Sequence, residues 1–168
     1  MREFTYDVQI QATQGYTFSG LHDAVKEGNL WLLSSSVPVN DQIILASKKM
    51  KEHTEPSDGL QIVFKNTTLP DSLVHRMTTD IQFVADFLAG LYGQPSCEKV
   101  SVVQSLRSKG GGYARLGGIV LGGLNAENYE RSFKGYQRYF AHELAHLWWH
   151  QAPATSWHDW INEGFAEF

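Results

Sequence analysis

The sequence predicts an α+β fold, and three observations carry that prediction. Near the start, Phe4, Tyr6, Val8 and Ile10 alternate with polar residues, the period-two pattern of a half-buried strand. Farther on, Leu73, Met77, Ile81, Val84, Leu88 and Leu91 recur three or four residues apart, an apolar helical stripe that belongs against a sheet. The elements also come as strands, helix, strands and then helices, which is an α+β layout and not a strict alternation.

Taken in order, Gln14-Gly15 and Ser19-Gly20 punctuate the chain after the first strand. Residues 29–34 and 42–47 read as further strands, separated by Pro38, Asn40 and Asp41. The charged, turn-rich stretch 48–59 reads as a solvated loop, and 60–64 as a short apolar strand. Asp71 or Ser72 can cap the long helix, which Gly93 and Pro95 end. Residues 100–103 form a strand and 108–112 a glycine-rich turn. Residues 113–121 read as one strand with Gly117 and Gly118 inside it, which suggests an edge, a bulge or the close approach of another backbone. Residues 122–127 are loop. A helix is predicted over 132–151, and a second starts near Asn162.

Composition sets bounds. The chain has 168 residues, enough for one sizeable core. With 42% hydrophobic and 19% charged residues it is ordinary for a globular protein. A formal net charge of -4 makes no electrostatic case for nucleic acid or an anionic membrane as partner. No apolar run of membrane-spanning length occurs. The N-terminus carries no visible leader, and with Cys97 as the lone cysteine a cytoplasmic location is expected. A single cysteine also rules out an internal disulfide and a cysteine-zinc cluster. Trp148, Trp149, Trp157 and Trp160 crowd the end of the chain, and the expectation is a chain that is part of a larger polypeptide.

The informative stretch is His142-Glu143-Leu144-Ala145-His146. On a helix, residues four apart share a face, so two imidazoles can bind one zinc ion. Glu143, one position after the first histidine, can reach a water activated by the metal and act as general base. Leu144, Leu147 and Trp148 mark the helix as largely buried, where unpartnered histidines and a glutamate would be costly; a metal resolves that cost. A third ligand is needed. Of Asp159, Glu163 and Glu167, Glu163 is favoured: a turn at Pro153 to Ser156 would fold the second helix back with Glu163 facing the metal. His2Glu with one open position is a catalytic zinc arrangement.

HELAH followed by WINEGFA resembles the signature of the gluzincin metallopeptidases, and among them the aminopeptidase N type. The resemblance implies that His142, His146 and Glu163 ligate Zn2+ and that Glu143 is the base. The stretch 86–103 and the glycine-rich edge strand before the zinc helix are similar to the same family, so that about two thirds of the chain is covered. It implies a thermolysin-like catalytic subdomain: a mixed sheet with an edge substrate strand, packed on helices, and the zinc helix near the C-terminal end. Residues 1–47 would be the end of a β-rich N-terminal region. Residues 48–168 would be the first half of the catalytic domain, cut after the third zinc ligand. The partners implied are a peptide substrate and a C-terminal helical subdomain of the same polypeptide, which supplies a tyrosine to the oxyanion. These residues alone are therefore expected to hold zinc weakly and turn over poorly.

There are departures. Sixteen residues separate His146 from Glu163, where the family usually has eighteen. Gly112, Tyr113, Ala114 and Arg115 occupy the place of the substrate strand, with Ala114 where the family's amino-terminus-binding glutamate would fall. Exo- against endo-cleavage is thereby left open. Arg115 would favour an acidic group, or is a solvated edge charge. His150 reads as a helix C-terminal residue, since it lies about 12 Å along the axis from His142. His158 and Asp159 read as a loop pair. Glu167 orients a ligand histidine or faces solvent. Tyr136 and Tyr139 read as packing residues. His22, His53 and His75 are assigned no partners. The leading expectation is hydrolysis of peptide bonds; the rivals are a non-catalytic peptide-binding or scaffold module and a structural zinc protein, the latter disfavoured by the open coordination position.

Overall fold

The computed structural model describes residues 4–12, 14–20, 24–39, 43–57, 59–107, 109–115, 117–149, 163, 164 and 166, with the side chains of 36–39 and 115 outside that description. It is a mixed α+β structure, with three sheets among the described residues. The strands are β1 (Phe4–Gln11), β2 (Thr17–Gly20), β3 (Ala24–Glu27), β4 (Leu30–Val39), β5 (Ile44–Ser47), β6 (Lys51–Thr54), β7 (Gln61–Asn66), β8 (Lys99–Gln104), β9 (Gly111–Arg115) and β10 (Gly118–Gly122). The helices are α1 (Asp71–Tyr92), α2 (Ala126–Arg131) and α3 (Phe133–Ala145).

The main sheet has the order β6-β7-β8-β10-β9. Its inner strands β7, β8 and β10 run parallel, while β6 and β9 are antiparallel at the two edges. Parallel strands need a crossover, and α1 is the one between β7 and β8. Ile62, Phe64, Val100, Val102, Ile119 and Leu121 project from the sheet into the same core as Leu73, Met77, Ile81 and Leu88 of α1 and Phe140 and Leu144 of α3. On the opposite face Val103 and Val120 meet Ile43, Leu45 and Tyr113. The smaller sheets are β1-β4-β3 and β2-β5.

Several sequence expectations are corrected. Residues 113–121 are not one strand but the hairpin β9–β10, with Gly117 at φ 79 in its turn, a left-handed value that glycine adopts freely. The stretch 48–59 is not all loop: β6 lies in it, and its polar sequence is that of an edge strand kept from pairing outward. The strands β2 and β3 were not anticipated. Helix α1 begins as predicted at Asp71, but Pro70 is its N-cap residue and Asp71 pairs with Lys51 at 2.7 Å instead of capping. Leu91, placed in the buried stripe by its spacing, is 58% exposed, and with Phe83 and Phe87 it lines an open groove between α1 and α3. Residues 122–127 are not all loop, because Asn125 accepts from the Asn128 amide at 2.8 Å and starts α2. Among the described residues, no helix is long and apolar enough to cross a membrane.

Candidate active site

Helix α3 delivers the central residues. Phe140 and Leu144, four apart, are wholly buried and set its rotation against the sheet and α1. That rotation leaves His142 and His146 half-buried on one side and turns Glu143 inward, where it is 4% exposed. The helix was expected to run to Gln151, yet it ends at Ala145. The Leu147 and Trp148 amides bond to the carbonyls three residues back, at 2.9 and 3.0 Å, so the last turn tightens. His146, the C-cap residue, keeps helical angles of φ -61 and ψ -16, which preserves the one-turn spacing of the two imidazoles. Trp148 anchors this end by donating its indole N–H to the Gly93 carbonyl at 2.8 Å, and Trp149 stands edge-on to Tyr92 at 4.5 Å.

Glu163, Gly164 and Ala166 are helical, and Ala166 is buried in the main core. This brings Glu163 to the two histidines. Its Oε2 lies 3.3 Å from His142 Nε2 and its Oε1 lies 3.7 Å from His146 Nε2. The imidazole rings are perpendicular, with centroids 4.9 Å apart. One donor atom from each of the three residues falls within 4.8 Å of the others. Two ring nitrogens and a carboxylate form a donor set that suits zinc, and their convergence fits a single divalent ion. The turn assigned to Pro153–Ser156, together with Trp157, His158, Asp159, Trp160, His150 and Glu167, lies outside the described residues.

Burial pushes the Glu143 carboxyl up to about 7, with the negative charge of Glu163 adding to the effect. A carboxylate poised near neutrality is suited to taking and returning a proton. The strand β9 lies beside it. A side chain at Gly112 would put its first carbon 2.7 Å from Glu143 Oε1 and 2.6 Å from the Val120 carbonyl oxygen. Glycine is therefore required for β9 to approach both β10 and the carboxylate. Gly112→Ala is expected to lower stability by about 1–3 kcal/mol and to displace Glu143; a thermal midpoint equal to wild type would count against this.

The four residues of the substrate-strand expectation divide by face. Gly112 adjoins Glu143 and Ala114 packs on the main core, whereas Tyr113 packs on the far side with Val103 and Val120. Arg115 pairs through its backbone with Gly118. Tyr136 and Tyr139 do more than pack. The Gly122 N–H donates to the Tyr139 hydroxyl at 3.1 Å, and the Tyr136 hydroxyl donates to the Gly123 carbonyl at 2.9 Å. They tie α3 to the end of β10 and so hold the helix at its distance from β9. Burial raises the Tyr139 phenol to about 12, which keeps it protonated. Their spacing of three on the helix that carries the motif was the available signal, but a hydrogen bond to a strand end has no local sequence mark.

No family model matches the chain, and no curated protein matches its sequence. Among solved structures, it is similar to the crystal structure of an M1 zinc metallopeptidase from Deinococcus radiodurans, at 22% identity and a TM-score of 0.56. The match covers 98% of this chain and 38% of that one, so the chain spans well under half the length of the protein it resembles. At this identity the likeness shows the fold alone, a mixed α+β architecture.

Proposed function

We propose that the protein is a gluzincin-type zinc metallopeptidase, hydrolysing peptide bonds. The observation that carries this reading is the convergence of His142 Nε2, His146 Nε2 and the Glu163 carboxylate within 4.8 Å, with buried Glu143 on the same helix. In this proposal His142, His146 and Glu163 hold the ion. When bound, zinc supplies Lewis acidity, which acidifies water and polarises a carbonyl. Glu143 accepts the proton of the attacking water and gives it to the departing amine. Its burial, the larger cause of its raised proton affinity, suits it to both transfers. The strand β9, with Gly112, Tyr113, Ala114 and Arg115, is the edge of the main sheet beside Glu143, the place where an extended peptide can add to the sheet.

The proposal keeps the thermolysin-like division at residues 47 and 48. It also keeps the helical subdomain implied by the resemblance as the far wall of the cleft, and with it the low turnover expected of these 168 residues alone. The second reading, a peptide-binding module without turnover, rests on Ala114, an apolar residue packed on the core where the exopeptidase motif would place a carboxylate. Zinc titration combined with a peptide-hydrolysis assay separates the two. Zinc-dependent cleavage supports the enzyme. Zinc and peptide binding without cleavage at any enzyme concentration supports the module.

A further inference from the structure

A second cluster of ligating side chains lies at the opposite edge of the main sheet. The sequence reading assigned His53 and His75 no partners, and the structure corrects this. His53 on β6 and His75 on α1 both meet one carboxylate oxygen of Glu55: His53 Nε2 at 2.8 Å and His75 Nδ1 at 2.5 Å. The rings stand nearly perpendicular, with centroids 5.6 Å apart. The donor atoms of all three residues lie within 4.8 Å of one another, as they do at the site built on α3.

We propose that His53, Glu55 and His75 form a second divalent-cation site, for which zinc is the favoured ion. Two imidazoles and a carboxylate are the donor types that zinc takes. A neutral imidazole carries its proton on either ring nitrogen, so both rings can turn lone pairs toward Glu55. Ligand atoms around tetrahedral zinc at about 2.0–2.1 Å stand about 3.3 Å from one another, and the present contacts open to that spacing if the Glu55 carboxylate draws back by less than about 1 Å. The frame around the cluster is held at both ends. Lys51 pairs with Asp71 at 2.7 Å, and the Gln82 side chain donates to the Leu60 carbonyl at 3.1 Å and to Ser57 Oγ at 3.2 Å. The Glu55 side chain is 18% exposed while that of His75 is 62% exposed, so the anchor is sheltered and the open side faces solvent.

The strands β6 and β9 are the two edges of the sheet, and the two sites share no ligand. The proposal therefore stands independently of the peptidase reading. Its test is calorimetric titration of the metal-free protein with zinc chloride near neutral pH, repeated with cobalt, whose visible absorption reports nitrogen and oxygen ligation. Wild type is expected to bind two ions, and His53→Ala, His75→Ala and His146→Ala one each at comparable affinity. Affinity at the second site should fall by at least about 100-fold on losing a ligand, beyond the 10–100-fold typical of outer-shell partners. Circular dichroism checks each variant's fold, and His75→Gln carries the test should His75→Ala not fold. The proposal is overturned if wild type, His53→Ala and the folded His75 variant bind the same number of ions with affinities within about 3-fold, because the trio is then only an ion pair fastening β6 to α1. Loss of an ion in the His75 variant but not in His146→Ala would uphold this site while removing the one on α3.

Discussion

Glu143→Gln is expected to reduce peptide hydrolysis by roughly 10²–10⁴-fold, the usual contribution of a general base, and to leave zinc binding in place. The amide has nearly the same shape, so the contacts with β9 at Gly112 survive. What disappears is the proton acceptor. Burial, reinforced by Glu163, has raised this carboxyl to about 7, so the same substitution should change stability with pH. The folded protein holds its proton up to about pH 7, whereas the unfolded chain releases it near the ordinary value of 4.5. Stability from this group is therefore lost as pH rises from about 4.5 through 7. In the metal-free protein Glu143→Gln should be more stable than wild type at pH 8, by on the order of 1 kcal/mol once residual solvent screening is allowed for. At pH 4 the difference should vanish. Thermal unfolding at the two pH values reads this directly, and a variant less stable than wild type at both would contradict it. Full hydrolytic activity in Glu143→Gln would remove the base from the mechanism.

Glu163→Ala is the second large effect. Two imidazoles on one helix turn do not complete a catalytic zinc set, and Glu163 is the carboxylate the structure brings to them, at 3.3 and 3.7 Å. Zinc affinity at this site should fall by at least about 100-fold, more than the loss of an outer-shell partner causes. Removing this negative neighbour also takes away one of the two causes that raise Glu143, so its proton affinity should drop. The unfolding curve of the metal-free variant should then depend less on pH between 5 and 8 than that of wild type. Unchanged zinc affinity in Glu163→Ala would take the third ligand away from this position and weaken the peptidase reading as a whole.

Much of the α3 site was legible because its determinants are local. His142 and His146 owe their common face to helix geometry, and a four-residue spacing is visible in any sequence. The stripe from Leu73 to Leu88 likewise announced α1. Other parts were not legible. The charged β6 and the short β3 have no apolar alternation, because edge strands exposed to solvent need none. Leu91 continued the helical period but lies half-exposed in the open groove between α1 and α3, since periodicity specifies a direction around the helix and not what stands there. Helix α3 stopped short of the expected Gln151 when its last turn tightened, and α2 hid behind a single capping asparagine.

By itself, the amino-acid sequence determined the α+β class, a long helix packed against a sheet, and the one-turn pairing of two histidines with a glutamate between them. These depend on periods of two and of 3.6 residues, which are written within short windows. Tertiary structure alone decided that Gly112 lets an edge strand touch Glu143, that Tyr136 and Tyr139 tie the helix to β10, and that His53, Glu55 and His75 meet at all. Each of those contacts joins separate elements, and they come together only because packing a shared core sets where each element lies.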